Sequence, residues 1–134
     1  MKPVPRHYHG LTANLVMEIF DAPIAVHRSL IRVTGSVTAA LMLSQALAWS
    51  ETLAPQTEGW FTKSQWEWSE ETGLSGWEQE GARRVLRRTC LVEERTWGVP
   101  AALWFHVRKE RILQALRDVS RPTEHARPAT VPLP

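Results

Sequence analysis

The sequence predicts a mainly α fold with a small β-hairpin, an α+β arrangement, and two observations carry that expectation. The first is a repeated helix-start signal. Ser64 with Glu67, and Ser75 with Glu78, both have the spacing of a capping box. In that device the serine oxygen takes the N–H of the third helical residue, and the glutamate reaches back to the N–H of the cap. Gly73 lies between the two signals and suits the left-handed residue that closes a helix. Helix, short glycine turn, helix is the helix-turn-helix arrangement. The second observation is a pair of strand-like runs, roughly Leu91–Trp97 and Ala101–Val107, around Gly98-Val99-Pro100. A hairpin directly after a helix-turn-helix makes the expected fold a winged helix-turn-helix.

Taken in chain order, Met1–Gly10 is polar with two prolines and reads as irregular, while Leu15–Phe20 is a short apolar run that fits a strand or the start of a helix. Val26–Val33 reads as a short helix ended by Gly35. Val37–Trp49 is the longest apolar run. Thr38, Ser44 and Gln45 interrupt it, and it is too short to cross a bilayer, so it reads as a core helix. Glu51–Glu58 is a loop around Pro55. Trp60–Thr62, bounded by Gly59 and the Ser64 cap, is expected to join the hairpin as a third strand. Helices are expected next at Gln65–Thr72 and Gly76–Arg88. In the second hairpin strand Leu103, Phe105 and Val107 share one face. Arg108–Asp118 has Ile112, Leu113 and Leu116 at core spacing, and SRPTEHARPATVPLP, from Ser120, reads as a proline-rich tail. The domain reading is therefore an N-terminal extension at 1–23, a winged-helix domain at 24–118 and a flexible tail at 119–134. A chain of 134 residues fits one domain with a real core.

The Gly76–Arg88 helix resolves into two faces at about 100° per residue. Ala82, Val85, Leu86 and Thr89 form the core stripe, with Glu78 and Gln79 at its margin. The opposite side carries Gly76, Trp77, Glu80, Arg84 and Arg87, flanked by Arg83 and Arg88. Arginine suits both phosphate oxygens and guanine edges in the major groove. The bland alternative is an ordinary solvated face paired with nearby acids. Arg95 and Trp97 fall near the hairpin tip, where a wing meets the sugar-phosphate backbone. The alternative for Trp97 is packing on Trp104 across the hairpin.

Charge is segregated although the net value is only +2. Residues 51–80 hold seven glutamates against Lys63 alone, whereas residues 83–111 hold eight arginines and lysines against three glutamates. Such polarity orients a domain on a polyanion; it also suits head-to-tail self-association or binding to a charged protein. The seven tryptophans are Trp49, Trp60, Trp66, Trp68, Trp77, Trp97 and Trp104. Trp66 and Trp68, two apart on one helix, cannot share a face, so one is expected in the core and the other partly exposed.

WFTKSQWEWSEETGLSGWEQEGARRVLRR, then LVEE and GVPAALWFHV, resembles the winged-helix domain of phage and plasmid replication proteins. In that group an apolar helix with a Leu-Ser-Gln core precedes a W-F-x-K-S strand and the helix-turn-helix. The apolar helix here is GSVTAALMLSQALAWSE, Gly35 to Glu51, and the resemblance spans about Ile24 to Leu116. It implies duplex DNA binding, with the helix beginning at Gly76 as the reader, in replication initiation or transcription regulation. Two departures stand out. The family usually starts that helix with a basic or polar residue, where this chain has Gly76-Trp77, and ends it on Gly, where this chain has Cys90. The second departure implies an altered helix exit.

The expected DNA contacts are thus Lys63, Ser75, Trp77, Arg83, Arg84, Arg87, Arg88 and Arg95. Trp77 and Trp97 are the candidate residues of a protein interface, with a second copy of the chain or a host protein as partner. The alternative function is a protein-binding winged helix that inhibits a host complex, for example in host defence. No enzyme is expected: the sequence has no phosphate loop, nucleophile elbow or two-Cys metal motif. Glu70-Glu71 and Glu93-Glu94 read as solvated faces, and His7 and His9 alone do not make a metal site. No cofactor and no small-molecule substrate is expected. Cys90, the lone cysteine, reads as a buried small residue in a reducing compartment. The start MKPVPRHYHG lacks an apolar signal segment, so a cytoplasmic protein without a membrane partner is expected.

Overall fold

The computed structural model describes residues 24–120. Over these residues the chain forms five α-helices and a three-stranded antiparallel sheet: α1 (Arg28–Thr34), α2 (Val37–Ser50), β1 (Trp60–Thr62), α3 (Gln65–Thr72), α4 (Gly76–Arg88), β2 (Val92–Trp97), β3 (Ala102–Val107) and α5 (Lys109–Ser120). The mainly helical α+β expectation is met. A short 3-10 turn at Pro55–Thr57 lies within the expected 51–58 loop. The readings for 1–23 and for the tail beyond Ser120 lie outside the described residues, and α5 runs two residues past the expected end at Asp118.

Helix α2 is the centre of the core. Ser36 caps it by accepting the N–H of Ala39 at 3.1 Å. Ala39, Ala40, Met42, Leu43 and Ala46 are all buried, because α1 and α4 pack against it. Small alanines let those neighbours approach, while Met42 and Leu43 fill the space between them. No single helix among the described residues is long and apolar enough to cross a membrane. α1 and α2 reach that length only as a pair bent by 117°.

The sheet order is β1-β3-β2. Trp60 pairs with His106, Phe61 with Phe105 and Thr62 with Trp104, so the short segment after Gly59 does join the hairpin. On the other side Val92 pairs with Val107, Glu94 with Phe105 and Arg95 with Trp104. The pleat therefore gives the sheet two unlike faces. Phe61, Phe105, Val107 and Val92 point into the core and are buried. Trp60, Trp104, His106, Glu93, Arg95 and Trp97 share the outer face.

An aromatic cluster ties the sheet to α3. Trp68 meets Phe105 edge-on at 5.4 Å between centroids and Phe61 at 6.2 Å, and Phe61 lies 5.7 Å from Phe105. Trp68 is 2% exposed, whereas Trp66 is 70% exposed. The helical period thus divides the two tryptophans between core and surface as expected.

Candidate nucleic-acid interface

Two capping boxes set the positions of α3 and α4. Glu67 N–H donates to Ser64 Oγ at 3.1 Å, and Ser64 N–H donates to Glu67 Oε1 at 3.3 Å. The same pair of bonds joins Ser75 and Glu78, at 3.2 and 3.0 Å. Those bonds to Ser75 hold the Glu78 carboxyl below its ordinary range. Gly73 ends α3 at φ 74°, a conformation that would cost a residue with a Cβ about 1–2 kcal/mol. Buried Gln79 then locks the corner. Its Nε2 donates to Gln65 O and Leu74 O, both at 3.0 Å. Gly76 has a packing reason of its own: a Cβ there would meet Gln65 Nε2 at 2.0 Å. The glycine at the start of α4 thus admits the Gln65 side chain from α3.

The outward side of α4 carries Trp77, Glu80, Arg84, Arg87 and Arg88, all exposed. Trp77 is 83% exposed, so it does not fold back onto α3. Ser75 is also at the surface, with its hydroxyl engaged in the cap.

Two of the four arginines have a partner within the fold. Arg83 forks onto Glu94 of β2, Nε to Oε1 at 2.8 Å and Nη2 to Oε2 at 2.9 Å, and Arg87 Nη1 donates to Glu94 Oε2 at 2.8 Å. The Glu94 side chain is only 8% exposed, against 47% for Arg87. Burial pushes the Glu94 carboxyl up, but the hydrogen bonds and charges of Arg83 and Arg87 outweigh it and hold the carboxyl below its usual range. Hydrogen bonding to Glu94 likewise raises the Arg83 guanidinium. Glu94 is therefore no solvated surface acid, as its pairing with Glu93 in sequence suggested. Sequence reasoning missed it because the partners lie in different elements. The i, i+4 spacing of Arg83 and Arg87 was the one available signal.

Lys63 is corrected in the same way. Its side chain is buried, its ammonium donates to Glu71 and lies 3.8 Å from the centre of the Trp49 ring. It cannot reach a ligand outside the fold. Glu71 in turn is engaged by Lys63 and by Gln45 Nε2 at 3.4 Å, so it too is more than a solvated acid.

Arg95 and Trp97 point to the outer face of the sheet, opposite to Glu94. Arg95 lies over the Trp60 ring at 4.8 Å, Trp60 stacks on His106 at 5.1 Å, and Trp97 lies 6.0 Å from Trp104. Cross-strand packing accounts for part of Trp97, yet the residue keeps two-thirds of its surface in solvent.

Comparison with protein-family models, with curated proteins and with solved structures gives no match.

Cys90 also departs from expectation. It is exposed, not buried, and has φ 60°. Leu91 N–H donates to Leu86 O and Cys90 N–H to Arg87 O, both at 3.0 Å. These are the paired bonds of a Schellman close with a cysteine at the position glycine favours. The helix exit is thus of the glycine type, without the glycine. Among the described residues no group of three His, Cys, Asp or Glu is arranged to hold a metal ion.

Proposed function

We propose that this chain is a winged helix-turn-helix protein of the phage or plasmid kind that binds duplex DNA, acting in replication initiation or transcription regulation. α4 serves as the reading helix and the β2–β3 hairpin as the wing. The observation that carries the reading is the free face of α4. Arg84 and Arg88 are exposed there, with Arg87, which also bonds Glu94, beside Arg84, on the second of two capped helices and directly before an antiparallel hairpin. Exposed guanidiniums on such a helix suit backbone phosphates and the acceptor edges of guanine. The acidic stretch at residues 51–80 and the basic stretch at residues 83–111 supply the polarity that orients the domain on a polyanion. A fluorescence-anisotropy titration of duplex DNA across a salt series tests it. Affinity that falls steeply with salt supports the reading, and no binding at low salt refutes it.

A second reading, a protein-binding winged helix that inhibits a host complex, is favoured by one observation: Trp77, at 83% exposed, stands where a reader usually carries a polar side chain. Covering an indole is worth about 1.5–3 kcal/mol, and tryptophan is enriched among interface anchors. Under this reading Trp77→Ala keeps its melting temperature and loses self-association or partner capture. Under the DNA reading the same variant changes duplex affinity.

A further inference from the structure

Arg83 and Arg87 are one turn apart on α4, and their guanidiniums converge on a single carboxylate. Three N–H groups on two forks is the donor set that arginines offer a phosphate. The acceptor here is Glu94, from the strand that leads into the hairpin, and it is nearly closed off from water. The adjacent acid, Glu93, points to the other sheet face and lies 3.9 Å from His106.

We propose that Arg83 and Arg87 form a backbone-phosphate site on α4 that Glu94 occupies in the free protein, so that Glu94 sets the strength of DNA binding. The proposal rests on the DNA reading above. Arg87 is half exposed and retains N–H groups that Glu94 does not use. A phosphate arriving at α4 therefore meets Arg87 first and competes with the carboxylate for the fork. Competition between like charges at one donor set weakens the incoming anion. It also explains how a helix with four arginines keeps only part of its charge available. Glu94 acts here as a positioning residue, since it holds the arginines and touches no DNA itself.

The test compares wild type with Glu94→Gln and Glu93→Gln in duplex anisotropy titrations over a salt series. Both substitutions remove one negative charge, but only the first releases the fork. Glu94→Gln is expected to bind at least about tenfold more tightly, with a salt slope steeper by about 1–2 as the freed arginines reach phosphates. Glu93→Gln is expected to change affinity much less. The gain from Glu94→Gln should also vanish in an Arg87→Ala background, a coupling that general electrostatics does not produce. Wild type that binds DNA with the two glutamine variants equal overturns the phosphate site and leaves the DNA reading standing. No binding by wild type or by Glu94→Gln overturns both. Should Glu94→Gln lose its folded circular-dichroism signal, Glu94→Asp, whose shorter arm loosens the fork while keeping the charge, serves instead. It should bind more tightly than wild type, and equal or weaker binding contradicts the proposal.

Discussion

Single side chains show how far residue type alone misleads. Lys63 sits in a basic-looking motif, W-F-x-K-S, yet its ammonium is enclosed by Trp49, Trp68 and Glu71. A charged group is tolerated there because it is paired and lies against ring faces, which offset part of its desolvation. Replacing such a pair by an apolar side chain of similar volume is often neutral or stabilising. The double variant Lys63→Met/Glu71→Leu, which replaces both members, is therefore expected to keep or raise the unfolding midpoint in urea, whereas Lys63→Met alone strands the Glu71 carboxylate and lowers it. Lys63→Ala, which opens a cavity under two tryptophans, is expected to lose about 2–4 kcal/mol. None of these should alter the salt slope of DNA binding; a lower slope in Lys63→Met would return Lys63 to the interface. Trp77 teaches the converse. Helical phase puts it outside, and it is outside, because it faces away from α3 and the core, which Gln79 of the same turn meets instead.

At the level of elements, the helices were legible because their signals are local. Both capping boxes, Gly73 and the Ala82-Leu86 stripe act within one or two turns, so Gln65–Thr72 and Gly76–Arg88 were readable to the residue. The third strand was legible because glycine and a helix cap bracket only three residues. The Glu94 fork was not, since the approach of β2 to α4 depends on how the hairpin folds back over the helix. The exit of α4 was half legible. An altered turn was expected at Cys90, whereas the turn is the ordinary left-handed one with an unusual occupant. Cys90→Gly is expected to raise stability by about 1 kcal/mol, because glycine adopts this backbone without the Cβ clash. Equal or lower stability in chemical denaturation would show that the thiol makes a compensating contact. The fork between α4 and β2 also carries a pH signature. Glu94 has a lowered carboxyl in the folded chain, so its contribution is complete above the unfolded value of about 4.3 and is lost as pH falls through the folded value. The stability gap between wild type and Glu94→Gln should be widest near neutrality and close in acid. A gap that is constant down to about pH 3 would contradict the pairing.

On the scale of the whole molecule, charge segregation and the exposed face of α4 together make the case for a polyanion partner. α2 and the Phe61–Trp68–Phe105 cluster hold α3, α4 and the sheet in one body. The outward side of α4 is therefore presented on a fixed scaffold, which limits the entropy lost when a ligand docks. With Arg83 and Arg87 engaged by Glu94, Arg84 and Arg88 are the arginines of that face that lack a hydrogen bond or ion pair among the described residues. DNA binding through α4 is tested most directly by duplex anisotropy of Arg84→Ala/Arg88→Ala against wild type from low to moderate salt, with circular dichroism to confirm folding. The expected result is a folded double variant whose salt slope is smaller by about 2, one for each lost phosphate contact. A folded variant with unchanged affinity and slope would remove α4 as the DNA contact and contradict the central claim.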